Sequence, residues 1–448
     1  MPNGPNLLGA FQRIRRLRDD PLGTFAADAR QYGDVVSYRF GPTLPPLTLV
    51  SRPDLVQQVL QRNHRNYRRS PFYKLLEPLL GKGLVTNDGP SWLRQRRLMQ
   101  PAFHREHLRG LADAMVEQVE GQLARWRRLP EEHPIDLFEE MTGLTLAIAT
   151  QTLFHADVER HAPVVRRALP IALREFDLRT SELVHVPDWI PTPRNRRLHR
   201  VVRELDAVVL EIIADRRRTP DAHHDLLGML MDAQDEDSGE RMDDKQLRDE
   251  VMTLLLAGHE TTSNLLCWTW LLLTEHPDAL TRLRAEVDAV LGDRPPVWDD
   301  LTQLTFTRQV LDESMRLYPP VWLVDRVAIG PDQLDDTPIL PGGIVMVNIW
   351  LTHRRPDVWP EPERFDPDRF AAGADPERHR FAHIPFGAGP HHCIGNHFAL
   401  IEATFALALL AREFSFSFVD RAAIRPQASV TLRPRDRMPM RLHHRTAP

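Results

Sequence analysis

The strongest constraint on the fold of this 448-residue chain is one long apolar stretch in its second half. The stretch opens with Asp243 and Asp244, is rich in leucine on both sides of its centre, and closes before Pro277. Acidic residues in a first turn and a proline beyond the last turn mark helix limits, so the pattern predicts one helix from Asp243 to His276. A helix that is apolar on nearly all sides is either buried in a large protein or spans a membrane.

A polar interruption at the middle of this helix separates the two possibilities. The residues from Gly258 to Thr262 include Glu260, and a carboxylate at the centre of a bilayer is energetically costly. A helix that crosses the interior of a large protein is therefore favoured. Because residues 1–20 contain no apolar run long enough for a signal peptide or an anchor, we expect a cytoplasmic protein with no membrane span.

Charge and cysteine content exclude several classes of function. The chain has 57 Lys and Arg against 62 Asp and Glu, a formal net charge of -5, so it has no general attraction to nucleic acid and we expect no such partner. The two cysteines, Cys267 and Cys393, are too few for a disulfide framework or an iron–sulfur cluster. Such sparse use of cysteine is typical of the reducing cytosol.

The pattern along the chain changes once, without a visible boundary. Helical spacing of apolar residues dominates from about Gly89 to Arg217. After Tyr318 come short strand-like runs such as Ile344 to Ile349, and then a proline-rich aromatic stretch from Arg355 to Phe370. No repeat or low-complexity linker divides the sequence, so we expect a single unit over residues 1–448.

A glycine-rich loop surrounds the second cysteine. From Phe386 to Gly395 the sequence is Phe-Gly-Ala-Gly-Pro-His-His-Cys-Ile-Gly, and a helical pattern follows. A cysteine at a helix N-terminus has a lowered pKa, which favours the metal-binding thiolate. An isolated cysteine is more often only a small buried residue. Zinc held by Cys393 with His391, His392 and His397 is a further alternative, but a second ligand cluster is missing.

The arrangement F-x-x-G-x-x-x-C-x-G resembles the haem loop of the cytochrome P450 superfamily. Three further motifs occur in that family's order: Trp92 with Arg96, Ala257 to Thr262, and Glu313 to Arg316. The resemblance implies a mainly α fold, a triangular helical prism with a small β-rich subdomain and a buried haem b. It assigns Cys393 as the ligand of the haem iron.

The polar turn of the long helix has a chemical reason within this resemblance. A thiolate ligand favours cleavage of the O–O bond, and cleavage needs protons at the distal oxygen. Glu260 and Thr261 are the catalytic candidates for a relay through water. A threonine that bonds away from its own helix can open a local kink beside Gly258. The alternative is a hydroxyl that bonds the carbonyl one turn back, and for Thr262 we expect this alternative.

Haem propionates need charge-assisted donors, for which arginine is well suited. The resemblance assigns the cofactor-binding residues as Trp92, Arg96, Arg326, His391, Phe386 and Gly387.

The E-x-x-R motif implies a structural network. An ordinary Glu313–Arg316 pair is a solvated contact on a helix surface, whereas the resemblance implies a buried pair completed by a second arginine. Arg364 lies in a literal P-E-R-F string, but Arg369, after Asp368, stands at the more usual spacing from the cysteine loop. We therefore favour Arg369.

Together these features predict a haem-thiolate monooxygenase that inserts one oxygen atom from O2 into a hydrophobic small molecule of terpenoid, fatty acid or polyketide type. Electrons come from a separate ferredoxin and its reductase, or a similar donor. Arg94, Arg97 and Arg105 are candidates to dock it, although surface arginines are usually only solvated. The alternatives are a peroxide-driven peroxygenase and a non-catalytic gas or ligand sensor, against which Glu260 and Thr261 count. The resemblance implies a substrate pocket between four mostly apolar segments, Phe72–Val85, Met252–Thr261, Val321–Val324 and Val430–Leu432.

Overall fold

The computed structural model describes residues 4–5, 7–41, 45–155, 158–180, 186–218, 225–234 and 239–445. In these ranges the α-helices are α1 (Leu7–Asp19), α2 (Pro21–Tyr32), α3 (Pro53–Gln57), α4 (Glu77–Leu80), α5 (Gly89–Met99), α6 (Arg105–Trp126), α7 (Leu137–Phe154), α8 (Val158–Thr180), α9 (Pro193–Arg218), α10 (Leu226–Asp232), α11 (Asp244–Glu275), α12 (Pro277–Leu291), α13 (Thr305–Leu317), α14 (Ile349–Thr352) and α15 (Asn396–Glu413). Helices dominate the chain, as predicted.

The strands are short and lie in four small groups. They are β1 (Val35–Tyr38), β2 (Leu47–Val50), β3 (Tyr67–Arg69), β4 (His133–Asp136), β5 (Leu323–Ala328), β6 (Asp332–Leu334), β7 (Thr337–Ile339), β8 (Ile344–Asn348), β9 (Phe414–Phe418), β10 (Pro426–Ala428), β11 (Leu432–Pro434) and β12 (Pro439–His444). The largest sheet has the order β1-β2-β8-β5-β3, in which β2 and β8 are parallel and the other pairs antiparallel. The others are β4-β12-β9 and the pairs β10-β11 and β6-β7.

Helix α11 is the predicted long helix and forms the centre of the core. The Asp243 side chain caps it by accepting the backbone N–H of Gln246 at 2.7 Å, and Pro277 begins the next helix. Most of its residues are buried, on all sides, because α7, α9, α13 and α15 pack around it. No helix in the described ranges is long and apolar enough to cross a membrane.

Two segments near the C-terminus, α15 and the hairpin β10-β11, pack against α11. Helix α15, which follows the cysteine loop, packs against both α11 and α6. The hairpin β10-β11 also contacts α11, because Trp268 Nε1 donates to the Leu432 carbonyl at 2.9 Å. The polar turn of α11 is thus approached from two sides by segments near the C-terminus. The prediction of a single unit over residues 1–448 stays a prediction.

Candidate functional site

The loop before α15 depends on glycine for its shape. Gly387 and Gly389 have φ of +68° and +71°, values that L residues with a side chain rarely adopt. A Cβ on Gly389 would also lie 1.8 Å from the carbonyl oxygen of Leu60. The loop is closed by the Cys393 N–H, which donates to the Phe386 carbonyl at 3.0 Å. The two glycines therefore allow the close approach that presents Cys393.

Cys393 is exposed, whereas Cys267 is buried within α11. Although Cys393 borders accessible space, the protein atoms around its thiol desolvate it and raise its pKa, and the Gly395 N–H and the Arg96 charge offset this only in part. The expected lowering of this pKa was therefore wrong in sign, because desolvation outweighs the favourable dipoles. A bound metal ion overcomes such a penalty, since a coordinating thiol is deprotonated outright.

The zinc alternative has no support in the described part of the chain. There, no group of three or more His, Cys, Asp and Glu side chains is arranged to hold a metal ion. A single cysteine that borders accessible space suits a metal whose remaining ligands belong to a cofactor.

Helix α5 brings two of the predicted residues to the cysteine loop. The Trp92 ring lies 3.9 Å, centre to centre, from the His391 ring, and its buried Nε1 has no hydrogen-bond partner among the described residues. Arg96, one turn later, is half-buried, and its charge acts on Cys393. A buried indole N–H normally finds a partner, so the Trp92 donor is available for an acceptor bound at this place.

Two arginines lie directly opposite each other on neighbouring strands. Arg69 of β3 pairs in register with Arg326 of β5. Arg326 is buried and Arg69 half-buried, and neither forms an ion pair with a carboxylate among the described residues. Like charges opposite each other are destabilising, so an anion bound between them is favoured. Sequence reasoning missed Arg69, because only the strand pairing brings it here.

His391 is held between a cation and an acid. Its Nδ1 lies 3.2 Å from Arg69 Nη2, and because arginine only donates, Nδ1 must accept. The proton is then on Nε2, which faces Asp88 Oδ1 at 3.5 Å. Burial lowers the pKa of His391 to about 4, so the ring is neutral at pH 7. His391 thus positions Arg69 as well as bordering the site.

The polar turn of α11 borders accessible space. Ala257 is exposed and Thr261 half-buried, although the neighbouring turns are buried. The Thr261 hydroxyl donates to the Ala257 carbonyl at 2.7 Å, so it forms the alternative bond, to the carbonyl one turn back. The bond away from its own helix that would open a kink is therefore not formed, and α11 is assigned as α-helix through Gly258. Thr262 likewise donates to Gly258, at 3.3 Å.

Glu260 is buried, and its Oε1 accepts a hydrogen bond of 2.8 Å from the hydroxyl of Thr431. Thr431 lies in the turn between β10 and β11. The sequence placed Val430–Leu432 near the pocket only by resemblance and gave no sign of this contact, because the two residues are 171 positions apart.

Glu313 and Arg316 form a fully buried pair, joined at 2.6 and 2.8 Å. Arg369 Nε lies 3.5 Å from Glu313 Oε1, within ion-pair distance. The Arg364 side chain instead pairs with Glu361 at 3.1 Å and is largely exposed. The backbone carbonyl of Arg364, not its guanidinium, accepts from Arg316.

The family model described as Cytochrome P450 matches residues 2–438. The chain belongs to the cytochrome P450 family.

This P450 is similar to three enzymes of Streptomyces. It is 36% identical to Cyclooctatin synthase of Streptomyces melanosporofaciens over 410 residues, 91% of this chain and 88% of the relative. It is 34% identical over 432 residues to Cyclooctat-9-en-7-ol 5-monooxygenase of the same species, covering 96% and 90%. It is also 34% identical over 438 residues to Pentalenene oxygenase of Streptomyces avermitilis, covering 98% and 95%.

A solved structure supports the same assignment. The heme domain of a cytochrome P450DA mutant superposes with a TM-score of 0.85 at 29% identity, covering 96% of this chain and 94% of that one. The predicted P450 fold is thereby confirmed. The chain is a P450 monooxygenase with a haem cofactor, and such enzymes use O2 and a redox partner.

The residues at the site fit this cofactor. The exposed Cys393 suits the iron, and the Trp92 N–H together with the Arg69 and Arg326 guanidinium groups suits carboxylates. A Cβ on Gly387 would meet no atom within 4 Å, so the backbone at Gly387 borders open space that no neighbouring side chain fills.

Proposed function

We propose that this P450 inserts one oxygen atom from O2 into a hydrophobic terpenoid, while the other oxygen atom leaves as water. The reaction takes up two electrons and two protons for each O2. The observation that carries the proposal is that both Cys393 and the polar turn of the largely buried helix α11 border accessible space. The three relatives, whose names refer to cyclooctatin, cyclooctat-9-en-7-ol and pentalenene, favour a terpenoid over a fatty acid or a polyketide.

In this proposal the polar residues of α11 move protons. When bound, haem supplies the redox chemistry of oxygen activation. Glu260 is the buried acid that takes protons from the interior, and Thr261 presents its hydroxyl at the accessible face of the helix. Cys393 would hold the iron, Trp92, Arg96, Arg326 and His391 would hold the cofactor through its carboxylates, and Phe386 and Gly387 would contact it.

The predicted pocket segments suit an apolar substrate, because Phe72–Val85, Met252–Thr261, Val321–Val324 and Val430–Leu432 consist mostly of apolar residues. The small cavity between Phe72–Val85 and helices α8 and α9 is far smaller than a terpenoid, so it is a gap in the packing and not the substrate site.

The ligand assignment is tested by reducing the haem-loaded protein under carbon monoxide. We expect the red-shifted Soret band of a thiolate–CO complex. The band is lost in Cys393→Ala and kept in the control Cys267→Ala, whose thiol is buried in α11. A band that survives in Cys393→Ala contradicts the assignment.

The substrate class is tested by the spin state of the ferric haem. Pentalenene and cyclooctat-9-en-7-ol serve as terpenoid probes, and palmitate and a macrolactone as the other two classes. We expect a shift to high spin with a terpenoid at the lowest concentration. A shift with palmitate or the macrolactone alone would replace the proposed class.

Electron supply by a separate protein is part of the proposal. Arg97 and Arg105 are exposed, and Arg105 lies close enough to His397, near the cysteine loop, to lower its pKa after the larger effect of burial. Arg94 is paired with Glu240. We expect NADPH oxidation through an acidic ferredoxin and its reductase to slow as ionic strength rises, and more steeply for the wild type than for Arg105→Gln. Product formed with hydrogen peroxide but never with the ferredoxin pair favours the peroxygenase alternative instead.

A further inference from the structure

Three buried side chains form a chain of hydrogen bonds that ends on Glu260. Asn264 Nδ2 donates to Thr431 Oγ1 at 3.2 Å, and Thr431 Oγ1 donates to Glu260 Oε1 at 2.8 Å. All three residues are less than one-tenth exposed. Asn264 and Glu260 are one turn apart on α11, and Thr431 reaches them from the β10-β11 hairpin.

The chemistry of the three groups sets the direction of this chain. An amide NH2 only donates, so the Thr431 oxygen accepts from Asn264. The single hydroxyl proton of Thr431 is then directed at the carboxylate of Glu260. Hydrogen bonds in such a series strengthen each other at a site of low dielectric. Thr431 thus holds Glu260 in one orientation, through a bond that α11 alone cannot supply.

The backbone on either side of Thr431 is itself anchored. Trp322 Nε1 donates to the Ser429 carbonyl at 2.7 Å, and Trp268 Nε1 donates to the Leu432 carbonyl at 2.9 Å. The Leu432 N–H donates to the Pro320 carbonyl at 2.8 Å. These bonds fix the hairpin turn against α11 and the segment before β5, so the hydroxyl of Thr431 is held in place.

We propose that Thr431 is a positioning residue for Glu260, and that through it the β10-β11 hairpin controls proton delivery. The inference rests on the proposed relay role of Glu260. When Glu260 is held correctly, two electrons and two protons per O2 give product and one water. When it is not, the same two electrons and two protons leave as hydrogen peroxide and the substrate is unchanged.

The test measures how consumed O2 divides between peroxide and water, with NADPH, ferredoxin and its reductase. Water formed without product also counts; it takes four electrons, from two NADPH, and four protons per O2. The readout therefore does not depend on which substrate is accepted. For Thr431→Val we expect the peroxide fraction to rise by roughly threefold or more, since misplaced acids lose much of their catalytic contribution. The solvent deuterium isotope effect on O2 consumption should rise as well. Thr431→Ser, which keeps the hydroxyl, should restore both values.

A matched control is Thr269→Val, on the same helix. The Thr269 hydroxyl is buried and donates to the Leu265 carbonyl of its own helix, so its loss should leave the division of O2 unchanged. If Thr269→Val raises peroxide as much as Thr431→Val, the effect is one of packing and the proposal is overturned. If Thr431→Val does not load haem, Asn264→Leu, which removes the donor to Thr431, takes its place with the same expectation.

The variant Glu260→Gln shows whether a negative result concerns the role of Thr431 or the proposed relay role of Glu260. If Glu260→Gln leaves the peroxide fraction unchanged, the proposed role of Glu260 fails. If Glu260→Gln raises it and Thr431→Val does not, only the role of Thr431 fails. If Thr431 acts through Glu260, Thr431→Val should add nothing in the Glu260→Gln background. A further rise there contradicts the proposal.

Discussion

Glu250 accepts a hydrogen bond of 2.9 Å from the backbone N–H of Leu84, while its other carboxyl oxygen has no hydrogen-bond partner among the described residues. The neighbouring Asp249 accepts the Lys82 N–H at 2.8 Å. A Cβ on Gly81 would lie 2.0 Å from the Asp249 carboxylate. Two acids of α11 thus hold the loop after α4, which belongs to a predicted pocket segment.

The contribution of Glu250 to the stability of the fold should fall with rising pH. Burial raises the pKa of Glu250 to about 8 from 4.5, although the Leu84 N–H opposes this. Between these two values the unfolded chain releases the proton and the folded chain keeps it, so this residue lowers the unfolding free energy by up to about 1.4 kcal/mol per pH unit. Buried histidines such as His259 and His391, whose pKa burial lowers to about 4, contribute in the opposite direction and are unchanged by the substitution. From pH 5 to pH 8 the unfolding free energy of Glu250→Gln should therefore fall less, or rise more, than that of the wild type.

Urea unfolding at several pH values measures this difference. Glu402 is another buried carboxyl with a raised pKa, so the comparison is between variant and wild type, where its contribution cancels. Glu117→Gln, at an exposed position of α6, is the control, and its unfolding free energy should change with pH as that of the wild type does. The same change with pH in Glu250→Gln and in the wild type would contradict the prediction.

The two candidate arginines of the Glu313 network should differ in their effect on stability. Arg369→Ala removes a nearly buried cation beside Glu313 and should cost about 1–3 kcal/mol of unfolding free energy. Arg364→Ala breaks an exposed pair with Glu361 and should cost less than about 0.5 kcal/mol. Chemical unfolding of the two variants checks this order, and the reverse order would assign the network to Arg364.

Gly389→Ala should prevent the cysteine loop from forming. Its φ of +71° disfavours alanine, and the added Cβ would lie 1.8 Å from the Leu60 carbonyl oxygen. Backbone has to move, so we expect low haem content together with a stability loss of at least about 1–3 kcal/mol. Gly110→Ala on α6, where a Cβ meets nothing within 4 Å, should instead be neutral or stabilising. Normal haem content in Gly389→Ala would show that the loop tolerates the change.

Arg69 should matter for haem retention as well as for the fold. Its charge lies opposite Arg326 on the neighbouring strand, a repulsion that a bound carboxylate relieves. Arg69→Gln should release haem roughly tenfold faster, since a charge-assisted hydrogen bond contributes about 1.5–3 kcal/mol. The apoprotein should also lose some stability, because Arg69 donates to the Asn87 and Leu84 carbonyls at 2.9 and 3.1 Å. Transfer of haem to apomyoglobin gives the rate. Arg68→Gln, exposed on the same strand, is the control, and equal release rates in both variants would argue against a contact between Arg69 and the cofactor.

Much of the fold and of the site could be predicted because the signals are local. The limits of α11 follow from Asp243, which caps the helix, and from Pro277, which cannot continue it. The cysteine loop contains the glycines that its shape needs, and the spacing of Phe386, Gly389 and Gly395 around Cys393 is a pattern of the family. Capping, helical period and motif spacing all act between near neighbours along the chain.

Other features were decided by the tertiary structure alone. Arg69 meets His391 across 322 positions, and Thr431 meets Glu260 across 171. Which of Arg364 and Arg369 turns its guanidinium toward Glu313 likewise depends on tertiary packing, and Arg369 Nε is the one that lies 3.5 Å from Glu313 Oε1. No local pattern encodes such contacts, because they depend on how distant strands and helices pack.

Cys393 shows both kinds of determination. The sequence alone determined that it follows a glycine-rich loop at the start of a helix, where dipoles favour a thiolate. Only the tertiary structure decided that desolvation of the thiol by the residues packed around it outweighs those dipoles and raises its pKa. The reason is physical: hydrogen bonds and dipoles act within a few residues along the chain, whereas desolvation depends on everything that packs around the thiol.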